Sequence, residues 1–334
     1  MTEQDLIGEL AASVPAVPSD VEILGVRPPT QDEMMRRTKR VLVSVGELMR
    51  VPFDRADWVQ QRDTTLGRLP MGARVVMYHA SGVMRFVAGL APMEQLFTNA
   101  DRGYLMKLVE TAAERLRVNE WVNTRESLMF ERLWQIKASA ADRDGKVTVP
   151  PVLCRVVGAY RHVVGNLPVL GAASVAIKLA GGAALDSLSI QIRETNGERI
   201  EWAPVMRPDE AARQIVRQLA TLMGRSKIPV TELARPEGMQ IGYLSLGKRT
   251  PQRVLAPHYV ASIAIEGEEA QAYQLVVPAT ERTYLPLPIG QHPPAPTAQR
   301  KVPITERPTV PQAVREAEAS PTVREQVAPA YVTK

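Results

Sequence analysis

The chain has 334 residues and is 45% hydrophobic but only 5% aromatic, so it can bury a core built mostly from Val, Leu, Ile, Ala and Met. Lys and Arg (41) exceed Asp and Glu (36), and the excess is interspersed with acidic residues, which argues against a dedicated nucleic-acid binder with its clustered basic stripe. One cysteine, Cys154, excludes an intramolecular disulfide and a cysteine-rich metal site, and its apolar surroundings predict a buried, inert thiol.

The first residues, Met1 to Asp5, are acidic where a secretory signal needs a basic segment, and no long apolar run follows. The least polar stretch, residues 163–184, is broken by Gly165, Asn166, Pro168, Gly171 and Lys178 and cannot supply the roughly 20 apolar residues of a membrane span. A cytoplasmic protein without a membrane span is expected.

In chain order, residues 1–29 read as a leader, with a short helix from Thr2 to Ala12 ended by Pro15 and Pro18. Thr30 caps a second helix, with Asp32 and Glu33 in its first turn and an apolar stripe through Met34, Met35, Val41, Leu42, Val45 and Leu48. Residues 73–79 and 83–88 flank a Gly-containing turn and predict a hairpin. A third helix spans about 99–118, capped by Asn99 or Asp101, with Leu105, Met106, Val109, Ala112, Ala113 and Leu116 on its apolar face. Strands are then expected over 129–137, 152–164, 174–179 and 188–193, with a polar turn at 142–146. Asn196–Gly197 predicts a hairpin turn leading into 199–202. Pro208, Asp209 and Glu210 open a fourth helix with Ala211, Ile215, Val216, Leu219 and Leu222 at helical period. Strands over 240–246, 258–265 and 271–280 follow, the last two joined by a turn at 266–268. From residue 286 ten prolines punctuate a polar tail whose composition predicts disorder.

Helix-then-antiparallel-strands recurs after residues 31, 99 and 208. The expected architecture is α+β: two to three repeated units of one helix packed on a curled antiparallel sheet. The boundaries are a leader at 1–29, a degenerate helix-plus-hairpin unit at 30–98, full units at 99–205 and 206–285, and a disordered Pro-rich tail at 286–334.

The run 158–171, containing Tyr160, Arg161, Val163, Gly165, Pro168, Val169 and Gly171, resembles the Y-R-x-V-x-G-x-P-V-x-G signature of PepSY-like and FTP-like domains, found in propeptides of secreted metallopeptidases. Residues 175–179 and 185–188 look like that family's next two strands, and Ile241–Leu244 with Leu255–Val260 resemble a second module. Gly165 and Asn166 stand before Leu167 where the family often has a differently spaced Gly, and no H-E-x-x-H peptidase helix follows. The resemblance therefore implies a stand-alone assembly of such modules. The family carries no catalytic residues of its own, so it implies binding, inhibition or folding assistance of another protein.

Other chemistry is sparse. The chain has no G-x-S-x-G elbow, phosphate-binding loop or dinucleotide fingerprint, and Ser81 has no evident base. Asp142, Asp144 and Glu131 lack the spacing of a calcium loop and read as a charged turn. Arg36, Arg37, Lys39 and Arg40 form a basic cluster on a helix that could touch an acidic partner. Trp121 and Trp134 read as core or rim. No cofactor or metal is expected and no catalytic residue is assigned. Tyr160, His162, His258 and Tyr259 are the candidate pocket or interface residues, because polar groups on otherwise apolar strands need a reason to be there.

Three functional readings follow. The leading one is a non-enzymatic protein-binding module (inhibitor, chaperone or structural adaptor) acting through sheet edges and the Pro-rich tail, with another protein as partner. The alternatives are a small-molecule-binding protein or enzyme using the concave sheet face, and a structural subunit of a larger assembly.

Overall fold

The computed structural model describes residues 2–91, 94–141, 147–223, 234–265, 271–287 and 323–328. The fold is α+β, with four α-helices among the described residues against a large, mostly antiparallel sheet. No helix among the described residues is long and apolar enough to cross a membrane.

Two hydrophobic cores organise the chain. Helix α1 (Glu3–Ala12) opens with a capping box between Thr2 and Asp5, and buries Leu6, Ile7 and Leu10. Strand β1 (Asp20–Val26) follows. Helix α2 (Gln31–Met49) starts at the predicted cap, where Thr30 and Glu33 bond reciprocally, and ends at Arg50 in the left-handed region, φ 56°. Next come β2 (Asp57–Gln60), β3 (Thr64–Arg68), β4 (Arg74–Tyr78) and β5 (Met84–Val87), then helix α3 (Arg102–Arg115), capped by Asp101. The long strands β6 (Glu126–Ala141) and β7 (Val147–Val164) pair antiparallel. They lead into β8 (Leu167–Leu170), β9 (Val175–Leu179), β10 (Leu185–Ile190) and β11 (Thr195–Pro204). Helix α4 (Pro208–Met223), β12 (Ala234–Leu244), β13 (Val254–Leu255), β14 (Pro257–Ile265) and β15 (Gln271–Pro278) complete the main body.

The first core sandwiches α2 and α3 against β4, β5, β7, β9 and β10, around Val45, Phe86, Leu105, Val109, Val156 and Ile177. The second packs α1 and α4 against β12, β14 and β15, around Leu10, Ile215, Leu219, Ile241, Tyr259 and Val277. The strand order is β15-β14-β12-β8-β7-β9-β10-β5-β4-β3-β2. β7 joins the two halves: residues 156–160 pair with β9, while Val163 and Val164 pair with β8 beyond a turn in which Gly165 takes φ 58°. β8 in turn runs parallel to β12, and the two approach so closely that a Cβ on Gly242 would lie 2.2 Å from the Pro168 carbonyl oxygen. A separate three-stranded sheet is ordered β11-β1-β13.

Several expectations are corrected. The segment expected as a leader contributes to the second core through residues 6–26: α1 packs on α4 and β12, the Met239 N–H donates to Ser13 Oγ at 2.7 Å, and β1 pairs with β11 and β13. The division at 98/99 does not follow the packing, because α2 and α3 share one core. Asn196–Gly197 forms no hairpin. Thr195–Pro204 is one strand, held extended by β1 with bulged register, so a long-range partner overrides the local turn signal. Strands β1, β2, β3, β8 and β13 were not anticipated. Within the Pro-rich tail, Val323–Ala328 is a strand (β16) antiparallel to Gln135–Ala140 of β6, a departure from an unstructured tail over those six residues. The turns expected at 142–146 and 266–268, and the rest of the tail from 288, lie outside the described residues.

Candidate functional site

The four candidate residues do not come together. Tyr160 and His162 lie on β7, and His258 and Tyr259 on β14. Tyr160 belongs to the first core, edge-on to Phe130 at 5.6 Å; burial, with Glu110 and Glu114 nearby, pushes its phenol up to about 12. Tyr259 belongs to the second core, where its hydroxyl donates to the Met206 carbonyl at 2.6 Å; burial, with Asp209 nearby, pushes it up to about 12 as well. His258 is buried, and its Nδ1–H donates to the Ala256 carbonyl at 3.0 Å. Desolvation lowers its pKa, outweighing the carbonyls of Ala256 and Leu285. All three are packing elements: the Tyr259 hydroxyl and His258 Nδ1 are hydrogen-bonded, while His258 Nε2 is buried with no hydrogen-bond partner among the described residues.

His162 differs. Its ring is buried, and Nε2 donates to Glu126 Oε2 at 2.9 Å. The other Glu126 oxygen accepts from Asn123 Nδ2 at 2.6 Å and Thr195 Oγ1 at 2.7 Å. Desolvation raises the Glu126 carboxyl, but the hydrogen bonds from His162 and Thr195 more than offset it, and the net direction is down. Glu126 stands at the start of β6, where the chain leaves the short helical turn Val118–Trp121.

This carboxylate lines a cavity of about 500 Å³. One wall is a stripe of α2: Arg37, Arg40, Val41, Ser44 and Glu47, spaced at the helical repeat. The opposite wall is Arg117, Glu120, Trp121 and Val122, and the third is Ile192, Glu194 and Thr195, ahead of and entering β11. Arg37 donates from Nη1 to Glu194 at 3.1 Å, and its Nη2 is buried with no hydrogen-bond partner among the described residues. Burial lowers the Arg37 pKa; Glu194 opposes this, and Arg40 adds to it. A buried, unsatisfied guanidinium nitrogen calls for an acceptor, because the desolvation cost of that N–H is otherwise uncompensated.

The charges on the walls nearly balance. Glu194 pairs with Arg37, and Glu126 is saturated by three donors. That leaves Arg40 and Arg117 facing Glu47 and Glu120, with Val43, Val122, Ile192 and Trp121 supplying apolar surface. Such a chamber can hold an amphipathic molecule with an acceptor at Arg37.

Of this site, sequence reading found His162 and placed Arg37 and Arg40 only in a basic cluster. It missed Glu126, Thr195 and Glu194. The one available signal was the repeat of Arg37, Arg40, Ser44 and Glu47 along a helix face, which on its own reads as solvated surface. Trp121 proves to be a rim residue of the cavity. Ser81 donates to the Lys248 carbonyl at 2.6 Å, and Glu131 pairs with Arg161 at 2.8 Å. Cys154 is buried, as expected.

No family model matches this chain, and no curated protein matches it either. Among solved structures 11 chains match. One is an uncharacterized protein from Eubacterium rectale ATCC 33656, with a TM-score of 0.51 and 9% identity over 84% of this chain and 97% of that one. At that identity the likeness is one of fold.

Proposed function

We propose that this protein is a non-catalytic ligand-binding protein whose site is the cavity between α2, residues 117–126 and residues 192–195. The ligand carries a carboxylate on an apolar body. The observation that carries this reading is Arg37, a guanidinium at the cavity wall whose buried Nη2 has no hydrogen-bond partner among the described residues. A carboxylate oxygen supplies the missing acceptor through a charge-assisted hydrogen bond. Glu47 and Glu120 on the walls suit an ammonium on the same molecule, as in an amino acid. A volume of about 500 Å³ lies within the usual range of small-molecule sites.

The test is thermal stabilisation and calorimetry with 3-phenylpropionate and L-phenylalanine. Saturable binding of either, abolished in Arg37→Met and retained in an exposed control such as Arg36→Met, supports the reading. Preference for the amino acid assigns the ammonium to the glutamates. No saturable binding of either compound by the wild type overturns it.

A second reading, protein binding by strand addition, is supported by a different observation: β6 already accepts β16 along Gln135–Ala140 of its outer edge. The resemblance to PepSY-like and FTP-like modules, which bind other proteins, leans the same way. Its test is deletion of residues 288–334, followed by titration with a peptide spanning 321–330. Saturable binding in trans to the shortened chain, and none to the full chain, supports an edge that a partner strand can occupy; no binding to either removes the reading.

A further inference from the structure

We infer that the open face of the first-half sheet, opposite its helices, carries a separate site for a phosphoryl group, formed by Arg85, Lys178 and Lys248 around Ser187 and Ser189.

Strand register puts these residues on one face. Ser189 pairs with Arg85 of β5 on one side and Ala176 of β9 on the other, while Ser187 pairs with Val87 and Lys178. Alternation does the rest: Met84, Phe86, Leu188, Ile190, Val175 and Ile177 point into the first core, so Arg85, Ser187, Ser189, Ala176 and Lys178 point away from it. Small side chains at the centre and long cationic ones at the margin make a depression of about 220 Å³, completed by Tyr78, Gln191 and Val157.

The third cation arrives from the other half of the molecule. Lys248 lies in the segment between β12 and β13, and its ammonium sits 4.8 Å from the centre of the Tyr78 ring. That segment is held in place. Ser81 donates to the Lys248 carbonyl at 2.6 Å. Arg193, itself buried, donates to the carbonyls of Leu246 at 3.0 Å, Gly247 at 3.3 Å and Thr250 at 2.9 Å. Burying a guanidinium against neutral carbonyls is costly, and here desolvation drops the Arg193 pKa to about 10. What the arrangement secures is the position of the loop that presents Lys248.

The charges distinguish this site from the cavity beside α2. Every charged residue lining it is a cation, and its remaining polar residues, Tyr78, Ser187, Ser189 and Gln191, can all donate. Lys178 lies 3.4 Å from Asp186, a carboxylate already held by Arg155, so among the described residues Arg85 and Lys248 supply the uncompensated charge. Two net positive charges beside hydroxyl-bearing side chains match a phosphate dianion, and the volume admits a phosphoryl group with a small ester substituent.

The experiment is calorimetric titration of the full chain with inorganic phosphate and with O-phospho-L-serine at low ionic strength, where surface electrostatics are least screened. The expected result is saturable binding that weakens about tenfold or more in Arg85→Gln/Lys248→Gln, with Arg102→Gln on α3 unchanged, as charge-assisted contacts to phosphate require. Tighter binding of phosphoserine assigns the site to a phosphorylated partner group, and equal binding assigns it to free phosphate. No saturable binding by the wild type, or binding that the double variant leaves intact while circular dichroism shows it folded, overturns the inference.

Discussion

Glu126→Gln is the substitution that most directly tests how the cavity floor is built. The carboxylate side chain is 3% exposed and faces three donors: Asn123 and Thr195 at one oxygen, His162 at the other. Glutamine keeps the shape but offers one oxygen and brings two N–H groups. If its NH2 replaces Oε1, it opposes the Asn123 amide. If it replaces Oε2, His162 must shift its proton to Nδ1, a buried atom with no partner among the described residues. Either arrangement loses at least one hydrogen bond to a charged group, so the expected destabilisation is about 2–3 kcal/mol at neutral pH. Urea unfolding followed by circular dichroism reads this as a lower midpoint with an unchanged slope. The effect is also pH-dependent. The Glu126 carboxyl is held below its ordinary 4.5, so its contribution is fully present above that pH and disappears as pH falls through the lower folded value. The gap between wild type and variant should therefore narrow below about pH 4.5. A loss under about 0.5 kcal/mol at neutral pH, or a gap that widens on acidification, refutes the reasoning.

Arg155 is buried and donates to Asp186 at 2.9 Å and to the carbonyls of Ala91, Glu94 and Cys154. Arg155→Met should cost about 3–5 kcal/mol, and hydrogen exchange should accelerate around residues 94–97, which it ties to β7. His258 is buried with a lowered pKa, so the unfolded chain binds the proton first as pH drops below 6.5, and stability falls with it. His258→Asn, which can still donate to Ala256, should remove that part of the slope, up to about 1.4 kcal/mol per pH unit between the two pKa values; an unchanged pH profile by chemical denaturation refutes it. On β7, a Cβ at Gly158 would lie 2.1 Å from Val109 Cγ1 of α3. Gly158→Ala should cost about 1–3 kcal/mol, and Val109→Ala in the same chain should recover part of it; strict additivity of the two losses argues against direct contact.

The sequence by itself determined the local elements. All four helices lie where the capping residues and apolar periodicity place them, at Thr2, Thr30, Asp101 and Pro208, because caps and periodicity are settled within a few residues. The hairpin of β4 and β5 and the strands β7, β14 and β15 were legible for the same reason. The tertiary structure decided which elements share a core. Nothing local says that α1 and β1 close the second half over α4 and β11, since their partners lie about two hundred residues away in the chain. Nor does anything local say that Thr195–Pro204 must stay extended through an Asn-Gly pair, which a long-range partner strand enforces. The candidate sites are of the same kind. Arg37 with Glu194, Glu126 with His162 and Thr195, and Lys248 with Tyr78 are each brought together across strands and loops. Apart from His162, which stands out as a polar group on an apolar strand, and Arg37, which stands out only within a basic cluster, these side chains read as ordinary surface or strand in the sequence, because their chemistry depends on a neighbour that only packing supplies.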